Sequence, residues 1–270
     1  MPITSHAPVD AFKSAQQGAW SAGDYRPLGA KMLPASEALC EAAGIRGGMR
    51  ILDVATGTGN AALAAARRGC DAVGLDFSPN QLEAARARAA SEGLEAEFVD
   101  GDAQSLPFPD ASFDGVICVF GAMFAPDQRR VSAELLRVCR PGGTVGMANW
   151  TPALAPFFGI VAGYAPPPPD GIESPLLWGT RERLEELFAG GVSELRAEPR
   201  SITEHYSSPE AFADFYCTTF GPIVAVLAGL DDDAADSLRS DLTNLGAQHR
   251  VGDGVAASFE YLEVVAQKAS

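Results

Sequence analysis

Ile51-Leu52-Asp53-Val54-Ala55-Thr56-Gly57-Thr58-Gly59-Asn60 decides how this chain folds, together with the Ala61-Ala62-Leu63-Ala64-Ala65-Ala66 that follows it. A buried-strand pattern runs into a glycine turn, and the alanine-rich stretch beyond is a strong helix start. Gly57, Gly59 and Ala62 fit the loose strand–turn–helix pattern of dinucleotide-binding sheets, two glycines and a small third residue. Asp53 sharpens that pattern. Its carboxylate falls at the end of the strand, beside whatever ligand the turn cradles, where it would repel a pyrophosphate and attract an ammonium group.

A second apolar run, Cys70-Asp71-Ala72-Val73-Gly74-Leu75, ends in Asp76 and leads into Phe77-Ser78-Pro79. An acid in such a place is a solvated turn residue or, at the end of a strand pairing beside the first, an acceptor for both hydroxyls of a ribose. The spacing after the glycine turn favours the ribose. Ser78 reads as an N-cap and Pro79 as the first position of a helix over residues 80–90.

Residues 95–99 read as a short third strand, followed by Asp100-Gly101-Asp102-Ala103 and Leu106-Pro107-Phe108. The nearly continuous apolar run over residues 113–120 suits a strand buried on both faces. A helix starting near Gln128 is expected to stop at Arg140-Pro141-Gly142-Gly143, a helix end and turn in one, with a fifth strand over residues 144–150. Strands alternating with helices predict an α/β fold, a doubly wound and mostly parallel sheet.

Over roughly residues 45–150 these motifs resemble the class I S-adenosylmethionine (SAM) dependent methyltransferases, especially the small-molecule branch with ubiquinone and menaquinone methyltransferase-like proteins. SAM carries an ammonium and a sulfonium and no phosphate, in keeping with Asp53. The resemblance implies a Rossmann-like sheet of seven strands with an antiparallel last strand and a helical cap. It implies that the turn holding Asp53, Ala55, Thr56, Gly57, Thr58 and Gly59 binds the methionine part, and that Asp76, flanked by Phe77, Ser78 and Gln81, binds the ribose. Gly101, Asp102 and Ala103 would face the adenine, with the Asp102 carboxylate taking the exocyclic amine, and Phe120-Gly121 would lie under the ligand. Ala55 is a departure: many members have glycine there, although some quinone-type members also carry alanine.

The 270 residues suffice for one sizeable α/β domain with material left for a cap. Formal net charge of −15 with only three lysines, Lys13, Lys31 and Lys268, argues against nucleic acid as substrate. Phe120-Gly121-Ala122-Met123 also stands where amino-directed DNA enzymes carry Asn/Asp-Pro-Pro-Tyr. Five scattered cysteines form no metal-type pair and point to the reducing cytoplasm. Neither a signal peptide nor a membrane span is indicated. Pro166 to Pro169 is a short polyproline stretch, and no repeat is evident. Oligomeric state stays open.

A single structural domain is expected, with residues 1–44 as an amino-terminal lid segment, 45–150 as the SAM-binding core and 151–270 completing the sheet around a helical cap at about 204–255. In the lid, a short helical stretch precedes Trp20 and Tyr25; Trp20 would wall the acceptor and Tyr25 reach the SAM carboxylate, unless both merely tie down the arm. Strands are expected over 192–202 and 258–266, with helices between them over 209–227, interrupted at Gly221-Pro222, and over 233–249. The stripe Phe212, Phe215, Tyr216 and Phe220 is either core packing or a lid over an apolar acceptor. Phe215 and Tyr216 are the acceptor-binding choices from it, with Met123 and Trp150, and Phe157, Phe158 and Trp178 as further wall.

Methyl transfer is an in-line displacement in which alignment and exclusion of water do most of the work. A base is needed only for an acceptor that must lose a proton. Among His6, His205 and His249, His205 is the better candidate, beside Tyr206 after the sixth strand. No metal site is expected, because the fourth and fifth strands end in Phe120-Gly121 and Asn149-Trp150 and Asp127 alone does not make one. The function expected is methyl transfer from SAM, leaving S-adenosylhomocysteine, to oxygen or nitrogen of a small aromatic or polyketide-like molecule. A SAM-binding cyclase or rearrangement catalyst is the alternative; a nicotinamide oxidoreductase is disfavoured by Asp53 and Asp102-Ala103.

Overall fold

The computed structural model describes residues 7–270, so His6 lies outside the described residues. Two helices open the chain, α1 (Ala7–Ala22) and α2 (Tyr25–Ala42). Then strands and helices alternate: β1 (Arg50–Val54), α3 (Asn60–Arg67), β2 (Asp71–Asp76), α4 (Pro79–Glu92), β3 (Glu97–Asp100), β4 (Phe113–Val119), α5 (Gln128–Val138) and β5 (Cys139–Trp150). The remainder comprises α6 (Ala155–Tyr164), α7 (Arg181–Leu187), β6 (Val192–Tyr206), α8 (Pro209–Thr219), α9 (Gly221–Leu227), α10 (Asp232–Ala247), β7 (Arg250–Val251) and β8 (Gly254–Lys268).

The sheet has the order β3-β2-β1-β4-β5-β8-β6, with β7 paired to β8. Its first five strands are parallel and β8 runs antiparallel to β5. This is the Rossmann-like methyltransferase sheet, with one strand beyond the seven expected. The extra strand is β7, which turns back through Gly252 (φ 61°) to pair Val251 with Gly254. The central strands are apolar because both faces are covered: Ile51, Leu52 and Val54 of β1 have no exposed surface. Leu39 and Cys40 of α2 and Ala61, Ala64 and Ala65 of α3 share a core cluster with Ile51.

Short polar side chains start several helices where the sequence provides them. Asp127 accepts from the Arg130 N–H at 2.9 Å, Ser208 from Ala211 at 3.1 Å and Asp231 from Ala234 at 2.9 Å. Ser78 precedes α4 with Pro79 behind it, as expected, but its hydroxyl donates to Asn80 instead of capping the helix. Arg140-Pro141-Gly142-Gly143 is not a turn between helix and strand. It lies inside β5, where Cys139 pairs with Phe113 and the register then shifts so that Thr144 meets Gly115. An irregularity of this kind absorbs a proline and two glycines that a regular ladder would not. The amino-terminal helices, β6 and β8 are all longer than expected. Among the described residues, no helix is long and apolar enough to cross a membrane.

The chain divides into two compact units. The sheet unit comprises Met32–Pro152, Glu173–Arg200 and Tyr261–Ser270, and so holds β1 to β5 entire. The helical unit comprises, among the described residues, 7–31, Ala153–Ile172 and Ser201–Glu260. Within it α8 packs on α10 and α9, α1 on α9, and α10 on α6.

Candidate active site

In an open parallel sheet the carboxyl ends of the strands and the loops leaving them face the ligand. Four such ends converge in the sheet unit. Val54 of β1 stands beside Leu75 of β2, and Asp76 beside Asp100 of β3. Asp53 is 2% exposed, and its Oδ2 accepts from the Thr56 hydroxyl at 2.6 Å and from the Ala62 N–H, in the first turn of α3, at 2.9 Å. The strand acid therefore caps the helix that follows the turn. Burial pushes its carboxyl up to about 7, opposed by the bonds from Thr56 and Ala62 and assisted by the charge of Asp76.

Between strand and helix the backbone takes left-handed conformations at Ala55 (φ 56°), Gly57 (φ 54°) and Gly59 (φ 85°). Ala55 is the costly one, since a side chain there is strained. Its methyl group also fills the space that a Cβ on Gly121 would need, only 2.5 Å away. The alanine at 55 and the glycine at 121 are thus a matched pair joining the ends of β1 and β4. Thr58 is buried and its carbonyl accepts from Arg88 of α4 at 2.9 Å, a clamp the sequence reading missed.

Asp76, 7% exposed, accepts the Gly57 N–H on Oδ2 at 2.8 Å and the Ser78 N–H on Oδ1 at 2.9 Å, tying the glycine turn to the second loop. Burial raises its carboxyl above the ordinary value, against these backbone donors. A carboxylate offers about four acceptor positions, so capacity remains for a diol. Phe77 is half-buried, whereas Gln81 is buried with its Oε1 2.9 Å from where a Cβ on Gly57 would lie. Past β3, Gly101 and Asp102 are half-buried and Ala103 is buried, with Asp102 Oδ1 accepting the Gln104 N–H at 2.9 Å.

Phe120, just beyond β4, is also left-handed (φ 61°), and its ring lies flat on Trp150 at 3.7 Å with 3° between the planes. Tyr261 meets both rings edge-on, at 5.4 and 6.3 Å. Trp150 and Tyr261 are register partners across β5 and β8, a long-range pairing that no local pattern reveals. Met123 is 1% exposed, in a short turn whose Ala122 N–H bonds the Cys118 sulfur at 3.2 Å. Among the described residues no group of three or more His, Cys, Asp or Glu could hold a metal ion.

Residues 51–143, the stretch carrying these four strand ends, match a family model described as a methyltransferase domain. An uncharacterised protein of Mycobacterium tuberculosis is 37% identical over 99% of this chain and 100% of its own length. The demethylmenaquinone methyltransferase of Thermus thermophilus is 44% identical over 114 residues, covering 42% of this chain and 52% of that enzyme. The chain belongs to the class I SAM-dependent methyltransferases. The cyclase SpnF shares the fold, at 21% identity and a TM-score of 0.55, over 88% of this chain and 81% of that one.

Of the other residues singled out for a lid, an acceptor wall or a base, Trp178 is buried in the sheet unit and the rest lie in the helical unit. The Tyr25 hydroxyl accepts the Gly221 N–H at 2.8 Å, and Trp20 packs on Tyr25 and Phe220 at ring distances of 6.1 and 5.6 Å. From the aromatic stripe, Phe212 and Tyr216 of α8 and Phe220 just beyond it are buried, and Phe215 is half-buried. His205 is exposed. Its neighbours on β6 alternate to the other face: Glu204 is 2% exposed, and both Tyr206 and Tyr216 donate their hydroxyls to its Oε2, Tyr216 at 3.1 Å. Strand alternation was the signal that separates Glu204 from His205.

Proposed function

We propose that this chain binds SAM at the ends of β1 to β4 and transfers its methyl group to oxygen or nitrogen of a small, aromatic or polyketide-like molecule. The observation that carries the SAM site is Asp53 capping α3. A dinucleotide pyrophosphate needs the helix N-terminus for itself. Here a buried carboxylate already occupies the Ala62 N–H, and an anion beside it would be repelled. Two buried acids at adjacent strand ends suit a ligand bearing an ammonium group and a ribose diol. On this reading Asp53 favours the ammonium, Asp76 takes the ribose, Asp102 takes the adenine amine and Phe120-Gly121 form the floor.

When bound, SAM supplies an electrophilic methyl group on a sulfonium. The protein's contribution is to hold the acceptor in line, keep water out and let a displaced proton leave. The fold shared with SpnF favours a second reading, SAM as a bound cation in a cyclisation without methyl transfer. Incubation with methyl-labelled SAM and a panel of phenols, amines and carboxylic acids separates the two. Label on an acceptor, with S-adenosylhomocysteine formed in equal amount, supports methyl transfer; SAM bound but unconsumed across the panel speaks for the second reading. The net charge of −15 supports a small molecule over nucleic acid as acceptor, and five free, buried thiols fit the cytoplasm.

A further inference from the structure

Glu204 carries a carboxylate oxygen that has nothing to bond to. Its Oε1 is buried and without a hydrogen-bond partner. All the donors crowd the other oxygen: the Tyr206 hydroxyl, the Tyr216 hydroxyl at 3.1 Å and the Lys31 ammonium at 4.0 Å. Leaving a buried acceptor bare is costly, and folded proteins nearly always satisfy it. The two tyrosine hydroxyls account for Oε2 and leave Oε1 unaccounted for. An unpaid cost of this kind marks a group kept for a ligand.

The surroundings define that ligand. Lys31 balances the charge of Glu204 and sits over the Tyr206 ring at 4.1 Å and the Phe215 ring at 5.0 Å, so a second cation is not required. What Oε1 lacks is a hydrogen-bond donor. The two tyrosines that bond Glu204 both pack on Phe215, whose ring centroid is 5.4 Å from that of Tyr206 and 5.4 Å from that of Tyr216. Tyr206 and Phe215 are half-buried and the Lys31 side chain is 25% exposed, whereas Phe212 has no exposed surface. We propose that Glu204 is the polar anchor of an acceptor subsite in the helical unit, taking the neutral hydroxyl of a phenol-type aromatic molecule that packs on the half-buried Tyr206 and Phe215 rings. Lys31 covers these rings and the Glu204 side chain is fully covered, so entry requires the flexible lysine stem to swing aside. As a statement about the methyl acceptor, this rests on the methyltransferase reading; as a statement about binding, it stands alone.

Ligand-observed NMR on the full chain tests it with naphthol, its methyl ether and (aminomethyl)naphthalene as probes. Naphthol is expected to bind at least about tenfold more tightly than the ether, since one buried hydrogen bond to a charged group is worth that much. In Glu204→Leu the ratio falls to near one, while SAM affinity measured in the same samples stays within about twofold. Equal binding of naphthol and ether, no binding of either, tightest binding of the ammonium probe, or a preference that survives Glu204→Leu overturns the proposal. If Glu204→Leu does not fold, nuclear Overhauser contacts from bound naphthol to the Tyr206 and Phe215 rings of the wild type decide, and their absence overturns it. Failure to bind SAM in the wild type would instead strike the methyltransferase reading and leave the probe ratio interpretable.

Discussion

Asp76 does two things with one carboxylate: it holds the Gly57 and Ser78 N–H groups and, on the proposed function, the ribose. Asp76→Ala should lower SAM affinity about tenfold to a hundredfold, the equivalent of about 1.5–3 kcal/mol for a charge-assisted acceptor. Calorimetry on the folded variant checks this, and unchanged affinity removes the ribose assignment. Asp53 makes a pH prediction. Its carboxyl is held up from 3.8 to about 7, so in that window the folded chain keeps a proton that the unfolded chain has lost. Stability without ligand therefore falls as pH rises through the window. A cation at the site favours the ionised acid, so SAM binding should tighten as pH rises toward about 7 and release protons just below it. Titrations in buffers of different ionisation enthalpy measure that release; proton uptake would contradict the placement of the ammonium beside Asp53. The Ala55 methyl and Gly121 give a third test. Gly121→Ala puts a Cβ 2.5 Å from Ala55 Cβ and 2.8 Å from its carbonyl oxygen, an overpacking that should cost about 1–3 kcal/mol. Adding Ala55→Gly should return part of it in urea melts, because one of the two clashes goes; strictly additive effects would show that the positions are not coupled.

At the scale of elements, α8 shows what a periodic pattern reveals and what it hides. The spacing of Phe212, Phe215, Tyr216 and Phe220 gave a helix and an aromatic side, and α8 over Pro209–Thr219 carries both. It did not say what each ring meets. Phe212 is fully buried against Gly246 of α10, where an added Cβ would stand 3.0 Å from its ring, so Phe212→Ala should cost about 3–5 kcal/mol of folding stability. Phe215, half-buried, should cost clearly less, and thermal melts of the two variants compare them directly. Helices and parallel strands near β1 were legible because glycines, caps and apolar runs are local signals. The start of β5 was not: Pro141-Gly142-Gly143 reads as a turn until the register shift against β4 is known. Likewise the pairing of Trp150 with Tyr261 and its stack on Phe120 join residues far apart in sequence, which no local pattern displays. Alternation along β6 puts the exposed His205 on one face and the buried Glu204 on the other, a distinction that the choice of a histidine by residue type does not use.

For the whole molecule, the glycine turn and the acids at the strand ends belong to the sheet unit, while Trp20, Tyr25, Phe215, Tyr216 and Glu204 belong to the helical unit. The family model matches residues 51–143, all within the sheet unit, which is why the motifs there were readable from one sequence. On the proposed function the helical unit carries the choice of acceptor, and aromatic rings at helical spacing do not spell a ligand. A cofactor that binds only the folded state should stabilise the chain by about 2.7 kcal/mol at a concentration a hundred times its dissociation constant, seen as a rise in melting temperature. The central claim is that the turn from Asp53 to Gly59 cradles SAM. Isothermal titration of SAM into the wild type and into Gly59→Val tests it most directly, because at Gly59 the backbone is left-handed (φ 85°) and an added side chain is strained. The account predicts saturable binding at one site in the wild type, lost in a variant that still folds. Absence of SAM binding in the wild type, or equal binding in folded Gly59→Val, would contradict it.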